Sequence, residues 1–225
     1  MATSASHVAA AARVIFIYGV NHHSTYLVAL SRGLAYCSTK ISTHDMEGVY
    51  FWRESDPELG WLSQWYYCPF RDDENPERIY PTAEHYMMYQ KAILFDDNEV
   101  GEEILAAGHP REVKALGRKV RGFSEKKWVY NREKIVHKGN ILKFTTAVTE
   151  EGFGKGTTQD CAPIEGSLKE MLLATGTREL VEASPQDRIW GVGYGSKNAP
   201  VNRTKWGKNL LGKALMEVRD VLRQS

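Results

Sequence analysis

Apolar residues surround the segment from Thr82 to Phe95 on almost every side, with Ala83, Tyr86, Met87, Ile93 and Leu94 on one face and Met88 and Phe95 on the other. Pro81 cannot occupy a helix interior, and Thr82 can accept the free amides of a first turn, so the pattern predicts a helix from Thr82 to about Phe95. A helix that is apolar nearly all round is buried, so its polar stripe should face protein or a pocket. Helical signals continue downstream. Asp97 or Asn98 caps a helix ending at Gly108, Pro110 sits in the first turn of another running from Arg111 to about Val120, and a longer one is predicted from about Ser124 to Ala147. In the long helix Trp128, Ile135, Leu142 and Thr146 share one face, and Arg132, Lys138 and Lys143 are expected on the solvated side. Ile164 to Thr175 reads as a helix stopped by Gly176. Lys208 to Arg223 reads as an amphipathic helix with Leu211, Leu215, Val218 and Leu222 inward.

Strand signals are fewer. Val14 to Val20, Gly48 to Trp52 and Leu180 to Ala183 carry β-branched and aromatic runs of strand length, while residues 21–47 show no decisive period. Leu59 to Phe70 reads as an aromatic-rich irregular segment, Arg71 to Arg78 as a charged loop, Glu150 to Pro163 as a glycine-rich loop, and Ser184 to Asn202 as a loop of turn residues. The expected fold is mainly α with a few short β-strands, an α+β single domain over residues 48–225, preceded by an N-terminal extension, residues 1–47, with one predicted strand.

Composition narrows the function classes. Lys and Arg number 29 against 28 Asp and Glu, a net charge of +1, so no global field draws the chain to nucleic acid or membrane. Cys37, Cys68 and Cys161 are odd in number and unpatterned, which fits neither a disulfide framework nor a zinc site. The N-terminal stretch lacks a basic n-region, and Arg13 interrupts the apolar run from Val8 to Val20. These features predict a soluble protein of a reducing compartment, cytoplasmic, with the nucleus also compatible.

Candidate chemistry starts on the predicted helix at Thr82. Glu84, Met88, Lys91 and Phe95 fall in one stripe, with Glu84 and Lys91 separated by roughly 10 Å of rise, too far for a salt bridge. A buried carboxylate and amine facing one pocket suit acid/base and nucleophilic chemistry, whereas on an exposed stripe they are ordinary solvated charges. The segment Asp187 to Gly195 brings an acid, Trp190 and three glycines into one loop, fit to accept ribose hydroxyls and stack a base, or simply to turn around a core tryptophan. Arg118, Lys119 and Arg121 lie near a predicted helix end, where they favour the dipole and could hold phosphate. Gly152 to Thr158 is no Walker loop, because Gly156 separates Lys155 from Thr157. No histidine pair has metal-binding helical spacing, and no Gly-x-Ser-x-Gly elbow occurs.

Taken in order, the motifs resemble the NADAR, or YbiA-like, family. They include Phe51-Trp52, Trp61-Leu62-Ser63, Thr82-Ala83-Glu84-His85-Tyr86, Gln90-Lys91 and Val113-Lys114-Ala115-Leu116-Gly117-Arg118. Trp128 and Lys143-Phe144 follow, then Leu172 to Gly176, Leu180 to Pro185, Asp187-Arg188-Ile189-Trp190-Gly191, Trp206-Gly207, Asn209 to Gly212 and Leu215 to Arg219. One departure stands out: Gln64 occupies a position where the family usually carries Asn.

The resemblance implies cleavage of the N-glycosidic bond between a base and a ribose bearing phosphate or diphosphate. Family substrates are ADP-ribose on guanine, including guanine of single-stranded DNA or RNA, and phosphoribosyl intermediates of riboflavin synthesis; a non-catalytic ADP-ribose reader is the rival. By resemblance Glu84 is the acid/base or orienting group, Lys91 the amine of a transient Schiff base, and Asp187 the ribose or proton partner. Ser63, His85, Arg118, Trp128, Trp190, Gly191 and Asn209 are implied in substrate binding, with Arg118 for phosphate and Trp190 for the stacked base. No cofactor, metal or membrane partner is implied.

Overall fold

A computed structural model describes residues 18–21, 24–27, 48–148, 153–157 and 163–225. The tail of residues 1–12, the beginning of the strand predicted from Val14, the pair His22-His23, Cys37 and Cys161 lie outside these residues. The chain divides into two units, residues 1–47 and 48–225. In the first, β1 (Tyr18–Asn21) pairs antiparallel with β2 (Ser24–Leu27), a strand that the hydropathy pattern leaves unassigned.

The second unit opens with β3 (Val49–Phe51) and a short 3-10 turn at Gly60–Leu62, after which β4 (Phe70–Arg71) and β5 (Ile79–Tyr80) close the charged loop as a small antiparallel pair. Helices then take over. The helix α1 (Ala83–Leu94) begins where the sequence predicts, with the Thr82 side chain accepting from the His85 amide. The next, α2 (Asn98–Ala106), is capped by Asp97, and α3 (Pro110–Gly117) is capped by His109 with Pro110 in its first turn. α3 stops short of Val120 because Asp97 accepts the Arg121 backbone N–H at 2.8 Å and pulls the chain out of the helix. Ser124 caps the long α4 (Glu125–Thr145).

The glycine-rich segment departs from expectation. Instead of a loop, β6 (Phe153–Thr157) forms an antiparallel hairpin with β7 (Pro163–Ser167), and α5 (Leu168–Ala174) starts only at Leu168. Ile164 is opposite Gly156, so its backbone is committed to a ladder, and a capping box between Ser167 and Glu170 sets the helix start. Residues 149–152 and 158–162 lie outside the described residues. β8 (Leu180–Glu182) returns to pair parallel with β3, placing Phe51 opposite Glu182, and α6 (Leu210–Gln224) ends the fold.

α1 is the central element, packed on α2, α3 and α4, while α6 packs on α4 and β8. Close approach is built in by glycine: a Cβ on Gly139 of α4 would come within 2.5 Å of the Tyr86 ring of α1. Both faces of α1 are buried in its first half, including Glu84, His85 and Met88, as its all-round apolar pattern requires. α4 departs from the expected two-sided pattern, because Arg132 and Lys143 are buried rather than solvated. Lys143 donates to the carbonyls of Trp61 at 2.7 Å and Ser63 at 2.9 Å, fixing the turn before α1. Lys138 is partly exposed and pairs with Asp73. Among the described residues no helix is long and apolar enough to cross a membrane.

Candidate active site

Glu84 lies in the first turn of α1 and is only 6% exposed. Its backbone N–H donates to the Gln64 carbonyl at 3.0 Å, and the Gln64 amide donates to Asn140 of α4 at 3.2 Å. Gln64 therefore ties the turn before α1 to α4. Burial pushes the Glu84 carboxyl up to about 7, opposed by the Lys114 ammonium and a hydrogen bond from Trp65, and reinforced by the Asp187 charge.

Asp187 reaches the same neighbourhood from the loop after β8. Its Oδ1 accepts the N–H groups of Ile189 and Trp190, both at 2.8 Å, so one oxygen shapes the turn that carries the tryptophan. Glu182 ends β8, and its Oε2 is buried with no hydrogen-bond partner. Burial raises this carboxyl to about 8, with the charges of Asp187 and Glu84 adding and Lys114 opposing. Asp187 thus acts on both glutamates and Glu84 acts on Glu182, so the two carboxyls on regular elements are biased toward holding a proton at neutral pH. Sequence reasoning gave Glu182 no role. Its signal was an acid ending the short apolar strand Leu180-Val181-Glu182.

Asn209 holds this arrangement from behind. It sits at φ 50°, in the left-handed region, accepts from the Glu182 N–H at 3.0 Å and donates to the Leu180 carbonyl at 2.9 Å. Both ends of its amide bond β8, so its side chain positions the strand that carries Glu182. Gly191 packs against the same strand end, where a Cβ would come within 2.7 Å of the Glu182 carbonyl.

Lys91 stands apart from the carboxyl cluster. Its Nζ donates to the Gly117 carbonyl at 2.6 Å and lies 4.4 Å from the Phe123 ring and 5.5 Å from the Trp128 ring. Burial lowers its pKa, with Glu125 opposing and Arg118 adding. Arg118 is exposed at the end of α3. The structure therefore groups Glu84 with Asp187, and Lys91 with Trp128 and Arg118. Trp190 meets a different cation: its ring lies 6.0 Å from the guanidinium of the buried Arg132.

The two remaining predicted residues brace the frame. His85 is enclosed, with Nε2 3.0 Å from the Ala107 carbonyl and Nδ1 2.8 Å from the Thr82 hydroxyl. A carbonyl only accepts, so Nε2 carries the proton and Nδ1 accepts from Thr82. Burial lowers the His85 pKa and keeps the ring neutral. The buried Ser63 accepts the Trp65 N–H on its hydroxyl at 3.2 Å, orienting the segment that leads Trp65 to Glu84. A cleft of about 250 Å³, lined by Tyr50, Trp52, Arg53, Ser55, Asp56, Ala183 and Ser196, includes none of the sequence-predicted site residues. Among the described residues no group of three or more His, Cys, Asp or Glu side chains is arranged to hold a metal ion.

A model of the NADAR domain family matches residues 50–223. N-glycosidase R617 of Acanthamoeba polyphaga mimivirus is 37% identical over 163 residues, 71% of this chain and 85% of the relative. N-glycosidase YbiA of Shigella flexneri is 30% identical over 174 residues, 77% of this chain and 88% of the relative. The NMR structure of the E. coli protein YbiA superposes with a TM-score of 0.58 at 28% identity, covering 80% of this chain and 86% of that one.

Proposed function

Because the chain belongs to the NADAR domain family, we propose that it is an N-glycosidase acting on ADP-ribosylated guanine, in single-stranded DNA or RNA or as a nucleotide, and releasing ADP-ribose. The observation that carries this reading is the pair Glu84, buried, and Glu182, with its Oε2 buried: both carboxyls are raised, both feel the Asp187 charge, and Glu182 also feels that of Glu84. Two neighbouring buried carboxyls resist ionising together, so near neutral pH one keeps its proton and the other gives it up. The protonated member passes its proton to the guanine nitrogen as the bond to ribose C1 breaks and its electron pair leaves with the base. The ionised member faces the positive charge that develops at C1, then takes a proton from the water that adds there. One water is consumed, and the pair ends with its single proton on the opposite member, from which it returns through solvent to the first acid before the next turnover. Asp187, with Oδ1 committed to its turn, offers Oδ2 to the ribose hydroxyls.

Lys91 supplies an alternative course in which Nζ attacks C1, the base departs with a proton, and the ring opens to a Schiff base that water hydrolyses. The lowered Lys91 pKa favours the neutral amine this course needs, and Nζ would have to leave the Gly117 carbonyl.

The test is incubation with an ADP-ribosylated guanine oligonucleotide, with chromatographic detection of free ADP-ribose. Release by the parent and its loss in Glu84→Gln is the expected result. Binding of ADP-ribose without release would make the chain a reader, and turnover of phosphoribosyl pyrimidines alone would move the substrate to riboflavin intermediates. Borohydride added during turnover separates the two courses: a covalent adduct in the parent that disappears in Lys91→Ala supports the Schiff base, and no adduct in the parent removes it.

A further inference from the structure

We propose that Arg132 is the receptor for an anionic group of the ligand, a phosphate or diphosphate, in a subsite flanked by Trp190. The anion site rests on Arg132 itself; that the anion belongs to a ribose phosphate rests on the N-glycosidase reading above.

Arg132 is 4% exposed, in the second turn of α4 and one turn beyond Trp128. Its Nε is buried without a hydrogen-bond partner, and no carboxylate among the described residues forms an ion pair with the guanidinium. The other two buried cations among the described residues are answered differently. Lys143 donates to two carbonyls, and Arg219, which shares an unpartnered Nε, uses NH1 on the Thr175 hydroxyl and the Arg178 carbonyl. A nearly buried guanidinium whose Nε is removed from water without an acceptor, and which has no counter-charge, is unfavourable, so its retention points to a partner that arrives from outside. The planar fork of five donors fits two oxygens of one phosphate better than any neutral group.

Position argues the same way. Trp190 has its N–H on Asp187 and its ring 6.0 Å from Arg132, so it links the carboxyl cluster to a cation that forms no ion pair with it. A ligand with a sugar at one end and phosphate at the other needs its acids and its cation kept apart in this manner. Arg118, the cation favoured on sequence grounds, is exposed beside Lys91 and lacks this link to Trp190.

Calorimetric titration of the full chain with pyrophosphate and with ADP-ribose tests the site, using the parent, Arg132→Met and Arg132→Lys. The expected result is affinity at least tenfold weaker for both ligands in Arg132→Met, partial recovery in Arg132→Lys, and an unliganded Arg132→Met melting temperature no lower than the parent's. Affinities within twofold of the parent in Arg132→Met overturn the proposal. If that variant does not fold, Arg132→Lys decides: unchanged ADP-ribose affinity overturns the site, and a fivefold loss at unchanged melting temperature supports it. Oligonucleotide cleavage by the parent with an unchanged KM in the variant removes the subsite and leaves the N-glycosidase reading. Arginine-dependent pyrophosphate binding by a parent that cleaves nothing supports the anion site and removes that reading.

Discussion

Glu84 and Glu182 sit in environments far from those their type prefers, and each departure has a measurable sign. Glu84→Gln keeps the shape and the burial but removes the exchangeable proton, so kcat is expected to fall by about 100-fold or more with a small change in KM, read from initial rates. Both carboxyls hold protons more tightly in the folded state than in the unfolded one. Their contribution to stability is therefore complete below pH 4.5 and is lost as pH rises through about 7 and 8. The parent's melting temperature should decline between about pH 5 and pH 8, and Glu182→Gln should flatten that decline; an equally steep decline in the variant refutes the linkage. Glu84 was legible in the sequence because a polar stripe on an otherwise apolar helix has nowhere to go but inward. Arg132 and Lys143 were not, because cations on a long helix read as solvated until a neighbour covers them. Glu182 was hidden for a related reason: a single acid at the end of a short strand has too little period to tell which face it takes.

At the level of elements, helices were legible wherever a capping side chain and a stop residue bracketed an apolar stripe, as at Thr82, Asp97, Ser124 and Gly176. The β6 and β7 hairpin was not. Gly154 and Gly156 carry no side chain to show an alternation, and the pairing that makes them a strand comes from Gly166 and Ile164. The junction of β8 with α6 is the element contact that most directly governs the candidate site. A Cβ on Gly212 would come within 2.0 Å of the Leu180 carbonyl and 2.6 Å of the Asn209 amide. Gly212→Ala should therefore push α6 from β8, lowering stability by about 1–3 kcal/mol and reducing activity by loosening Glu182. Thermal melting and kcat measured together check this; a loss of stability with full activity would show that Asn209 does not position the acid. Asn209→Ala should lower activity with a smaller stability change, since it removes two hydrogen bonds without adding a clash.

For the whole molecule, net charge near zero predicts that any nucleic-acid contact is local. KM for an ADP-ribosylated oligonucleotide should rise only shallowly with salt, as for roughly one or two phosphate contacts. A steep dependence would require a basic surface that near-neutral charge does not announce. The fold class was readable from the balance of helical and strand signals, but the partner of each strand was not. Parallel pairing of β3 with β8 joins segments separated by five α-helices and two antiparallel strand pairs, and nothing local in either encodes the other. That pairing also divides the chemistry. A chain cut between α4 and α5 would leave Glu84, Lys91 and Arg132 with β3 on one piece, and Glu182, Asp187, Trp190 and Asn209 with β8 on the other. Neither fragment holds the candidate site, while the β3 to β8 ladder and the α4 to α6 packing give each fragment a surface made for the other. The architecture thus lends itself to fragment complementation, in which glycosidase activity would report the reunion of two halves inactive alone.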